Sequence, residues 1–137
     1  MKDLLKTNCF DTNETMIIVG SCLESMQPEG YKELKKISEN IYDVCLEKEH
    51  LNMLVTKVIG MLARGKIKKI IFATVDKSPH CVQLHYLRKE LENAIDISKI
   101  DIVNYVVVDN KLIEIPLEVI GLSKNLSKLK ENFENKR

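Results

Sequence analysis

The stretch Lys69-Ile-Ile-Phe-Ala-Thr-Val-Asp-Lys-Ser-Pro-His-Cys-Val-Gln-Leu-His85 decides how this chain reads. Ile70 to Val75 is an apolar run of strand length and reads as a buried strand. Asp76 ends it. A two-residue turn leads to Ser78-Pro79, which reads as a helix N-cap with proline at the first helical position. His80 and Cys81 then fall in the first helical turn, and His85 follows one turn after Cys81. Groups capable of chemistry thus gather where a strand hands over to a helix, the place where open α/β sheets bind ligands.

The same alternation extends outward from that junction. Upstream, Met16-Ile-Ile-Val-Gly20 reads as a first buried strand, and Ser21 to Gly30 as a loop. Tyr31, Leu34, Ile37, Ile41, Val44 and Cys45 recur at helical spacing, which predicts a helix over 29–40 and makes Cys45 a core residue. Residues 41 to 46 extend that helix or form a short strand; Asn40 as a stop signal favours the strand. Leu51, Leu54, Val55, Val58, Ile59 and Leu62 mark the next helix, closed by Arg64-Gly65.

Downstream, Leu84, Leu87, Leu91 and Ile95 give the helix after Pro79 its apolar stripe. Tyr105 to Val108 is a strand, Asp109-Asn110 a turn, and Leu112 to Ile115 its hairpin partner. Leu122, Leu126, Leu129 and Phe133 suggest a last amphipathic helix. The expectation is one α/β domain over residues 1–137, a two-layer or three-layer sandwich. Its mainly parallel sheet has four to five strands, followed by a C-terminal hairpin plus helix. Residues 1–14 read as a polar lead-in and 131–137 as a charged tail, both flexible.

Composition narrows the function classes. The formal charge of +1 gives no global field to attract nucleic acid or an acidic membrane. Basic residues cluster only locally, at Arg64 to Lys69 and along the tail, and tryptophan is absent. No apolar run opens the chain as a signal peptide or reaches membrane-spanning length. A cytoplasmic protein with reduced thiols is expected. Its four cysteines, Cys9, Cys22, Cys45 and Cys81, include no C-x-x-C pair, against a zinc ribbon or a thioredoxin-type motif.

Cys81 is the first candidate for chemistry, because a helix N-terminus lowers a thiol pKa. His85, four residues on, would share its helix face, either stabilising the thiolate or taking its proton. The pair would equally form one edge of a metal site. Cys22 is the second candidate. It follows Gly20 and Ser21 at the end of the first strand, and faces Cys81 if the two strands are parallel neighbours. The two thiols would act as a dithiol, or with His85 as ligands of zinc or an iron–sulfur cluster; a protein with no cofactor is equally consistent. Ser78, His80, Asp76 and Ser21 are candidate ligand or anion contacts. The expected function is thiol redox or sulfur chemistry, or metal binding. The alternative is a non-catalytic ligand-binding or accessory subunit, with a small molecule, a protein or a second copy of the chain as partner.

Overall fold

A computed structural model describes residues 2–135. Six strands form one sheet: β1 Lys2–Asp3, β2 Glu14–Gly20, β3 Ile41–Val44, β4 Ile67–Val75, β5 Asp101–Val108 and β6 Lys111–Glu114. Their order is β1-β3-β2-β4-β5-β6. All neighbours run parallel except β5 and β6, which pair antiparallel as a hairpin. Asp109 and Asn110 both take positive φ, the conformation a tight two-residue hairpin turn demands. Residues 41–44 are thus a strand, and Cys45 is not a helical core residue; it lies half-buried just past the end of β3.

The helices are α1 Leu23–Met26, α2 Pro28–Ile37, α3 Leu51–Leu62, a 3-10 helix over Cys81–Tyr86, α4 Leu87–Ala94, α5 Leu117–Ser123 and α6 Leu126–Asn135. Strand alternation sorts the core into two faces. Met16, Ile18, Ile70 and Phe72 pack with Leu54, Val58 and Met61 of α3 and with Leu84, Leu87 and Leu91. Ile17, Val19, Ile71, Ala73 and Val75 pack with Leu23 of α1 and with Tyr31 and Leu34 of α2. Helices therefore cover both faces, and the sandwich has three layers.

The sheet has one or two strands more than the sequence suggested. The extra one, β1, is two residues long and carries no periodic signal. The lead-in is not a loose segment: Leu4, Cys9 and Thr12 are buried, and Leu4 N–H donates to Asp43 O at 2.9 Å. The tail is helical through Asn135, and the last two residues of the predicted tail, 136 and 137, lie outside the described residues. Its single predicted helix is two, interrupted at Lys124 and Asn125. No described helix is long and apolar enough to cross a membrane.

Chain direction places the site. After β2 the chain crosses one face through α1 and α2 to β3; after β4 it crosses the opposite face through α4 to β5. Strands β2 and β4 are neighbours, so their carboxyl ends diverge to opposite faces and leave a crevice between the two departing loops.

Candidate functional site

Both loops that flank this crevice carry a thiol. Ser21 and Cys22 follow β2 directly, and Cys22 opens α1. Past β4, Asp76 is exposed and Lys77 takes a left-handed φ of 68°, which turns the chain sharply. Ser78 Oγ then accepts a hydrogen bond from Cys81 N–H at 3.1 Å; the helix begins only at Cys81, so Pro79 and His80 lie in the turn before it and not in a first helical turn. The result is a Cys22 Sγ–Cys81 Sγ separation of 3.8 Å, with both side chains half-buried. Burial pushes the Cys22 thiol up, and the neighbouring Cys81 adds to that rise. Cys45, at the end of β3, acts on Cys22 in the same direction.

Gly20 makes the approach possible. A Cβ placed on it would lie 2.8 Å from Cys81 Sγ, so the missing side chain is the space the sulfur occupies. The sequence marked Gly20 only as the end of a strand; its partnership with a cysteine 61 positions on has no local signal.

His85 is not a partner of Cys81. Residues 81–86 wind as a 3-10 helix at three residues per turn, so side chains four apart diverge by about 120°. Cys81 packs against the Ile17–Val19 face of the sheet, while His85 turns to the other face and is 4% exposed. There Asn104 Nδ2 donates to His85 Nδ1 at 2.9 Å, which leaves Nε2–H to donate to Thr74 Oγ1 at 2.8 Å. Burial lowers the His85 pKa to about 4, so the ring is neutral at pH 7 and supplies no charge to a thiolate. The expected metal set of Cys22, Cys81 and His85 is likewise not assembled. Among the described residues, no group of three or more His, Cys, Asp or Glu is placed to hold a metal ion.

Of the candidate ligand contacts, His80 is exposed, and Ser21 is exposed on the opposite loop. Thr74 and Asn104 were not anticipated. Asn104 did leave a trace, as a polar residue inside the apolar run from Ile102 to Val108.

A family model described as Rossmann-like domain matches residues 9–137. The chain belongs to this family. No curated protein and no solved structure matches it. In this Rossmann-like domain the thiol pair occupies the divergence point of the sheet. A pocket of about 330 Å³ adjoins it on the far side of the 76–80 turn, lined by Thr74, Asp76, Ser78, Pro79, Val82 and Val106. The described pocket shares the turn with Cys81, and His85 forms part of its floor.

Proposed function

We propose that the protein carries out reversible dithiol–disulfide exchange at Cys22 and Cys81. The 3.8 Å separation of two half-buried sulfurs at the β2–β4 crevice is the observation that carries this reading. Cys81 is the attacking group, because it follows the 76–80 turn that also lines the adjoining pocket, while Cys22 opens α1 on the opposite side of the crevice. The Cys81 thiolate attacks one sulfur of a small-molecule or protein disulfide. That S–S bond breaks, and the departing sulfur leaves as a thiolate that takes up a proton. Cys22 then loses its proton, attacks the Cys81 sulfur of the mixed disulfide and expels the second substrate thiol. The substrate gains two electrons and two protons; the protein dithiol becomes an intramolecular disulfide. Neither metal nor His85 takes part.

Incubating the reduced protein with oxidised glutathione, followed by acid quench and peptide mass mapping, tests this. Wild-type protein should give a Cys22–Cys81 disulfide. Cys22→Ser should stop at a glutathione adduct on Cys81, and Cys81→Ser should give no fast adduct. Equal adduct formation on all four cysteines with no 22–81 linkage would end the proposal.

The neighbouring pocket supports a second reading, a non-catalytic small-ligand site on the same turn. Its volume of about 330 Å³ lies within the range of small-molecule sites. Thermal-shift titration with adenine nucleotides and flavin mononucleotide probes it. A shift that Val82→Trp removes would favour this reading over exchange chemistry.

A further inference from the structure

A second cavity, of about 420 Å³, lies where α4 and α5 approach one another beyond His85. Its volume falls in the range of small-molecule sites. It shares only His85 with the pocket beside the 76–80 turn. A hydrogen bond between Tyr86 Oη and Ser123 Oγ, 3.1 Å long, joins the segments on its two sides.

The floor is apolar. Ile120 is buried and Leu117 half-open, and both nitrogens of the His85 ring are taken up by Thr74 and Asn104. The ring therefore has no hydrogen-bonding atom to spare, and a polar ligand group pressed against this floor would lose its water without replacement. Gly121 widens the space. It lies inside α5, takes no positive φ, and a Cβ placed on it would meet nothing within 4 Å. Glycine inside a helix lowers stability relative to alanine, and here neither a turn nor a close approach calls for it. Its effect is to leave the cavity wall open.

The rim is cationic. Arg88 and Lys89 both bridge the one carboxylate of Glu92, at 3.3 and 3.8 Å, and Lys124 lies 4.2 Å from the centre of the Tyr86 ring. Among the lining residues three positive groups thus share one negative group. An aliphatic floor beneath an excess of positive charge is complementary to an anion with an aliphatic body. We infer that this cleft binds a medium-chain alkyl carboxylate, its chain against Leu117 and Ile120 beside Gly121 and its carboxylate at Arg88, Lys89 and Lys124. A neutral apolar molecule would leave the rim charges unanswered. A nucleotide would bring more polar groups than the floor can satisfy. The site is separate from the thiol pair and needs no chemistry there.

Titration of isotope-labelled protein with octanoate to about 10 mM, a range that covers weak ligands, followed by two-dimensional NMR, gives the test. Octanoate should produce saturable shifts at Tyr86, Leu117, Ile120 and Gly121. Octanamide, the same chain without the charge, should bind at least about threefold more weakly, the scale of one exposed ion pair. Lys124→Glu should weaken octanoate by a similar factor and leave octanamide unchanged. Gly121→Leu should fill the space and weaken octanoate at least about tenfold, yet melt no lower than wild type, because leucine favours the helix. An absence of saturable shifts with octanoate, equal affinity for octanamide, or undiminished binding to folded Gly121→Leu protein would each overturn the inference. Should the filled variant unfold, Lys124→Glu on the exposed rim decides alone: unchanged octanoate affinity there overturns it as well.

Discussion

Oxidation of the Cys22–Cys81 pair should raise stability by an amount the chain length sets. The two cysteines lie 59 positions apart, so the disulfide closes a long loop in the unfolded chain. Loop-closure entropy for that length gives a ceiling of about 4 kcal/mol. The sulfurs must close from 3.8 Å to about 2.05 Å, and the strain of that movement reduces the gain. A stabilisation between about 2 and 4 kcal/mol is therefore expected. For a domain of this size it corresponds to a rise in Tm of about 6–20 °C. Urea unfolding followed by far-UV circular dichroism, with and without a strong reductant, measures it. Cys22→Ser and Cys81→Ser should each abolish the difference, and Cys9→Ser and Cys45→Ser should leave it. Coincident oxidised and reduced transitions, in protein whose 22–81 linkage has been mapped, would refute the geometric reasoning.

Two further outcomes follow from packing and titration. Burial lowers the His85 pKa from 6.5 to about 4, so the unfolded chain takes up a proton on this residue before the folded one does. Stability is then lost as pH falls from about 6.5 toward 4, by about 2 kcal/mol at pH 5 relative to pH 8. In urea titrations His85→Gln should be less stable at pH 8 but lose less on acidification; parallel pH profiles would contradict the assignment. Gly20→Ala should cost about 1–3 kcal/mol, because its Cβ meets Cys81 Sγ at 2.8 Å. Adding Cys81→Ala should recover most of that loss, and a purely additive double variant would disprove the contact.

The layered fold was legible because its long elements obey simple periodicities. Ile70 to Val75, Met16 to Gly20 and the stripe Leu51 to Leu62 each carry enough apolar residues to fix element type and direction. The juxtaposition of Cys22 and Cys81 was legible only conditionally, since it depends on β2 and β4 being neighbours. Residues 41–44 decided that order, and four residues are too few to show a period. The role of His85 was not legible at all. Its direction depends on whether residues 81–86 wind at 3.0 or 3.6 residues per turn, and the spacing of Leu84, Leu87 and Leu91 is compatible with both. Burial of Leu4 and Cys9 also escaped notice, because isolated apolar residues among charges make no pattern until a sheet edge receives them.

The hairpin turn ties the two ends of the fold together. Asn110 Oδ1 accepts from the backbone N–H groups of Glu29 and Gly30, at 3.1 and 3.3 Å, and Gln27 Oε1 accepts from Asn110 N–H at 2.7 Å. The cap of α2 is thus supplied by a residue some eighty positions downstream. A chain emerging from the ribosome lacks that cap until its last two strands have been made. The start of α2 therefore gains these partners only once the hairpin has been made.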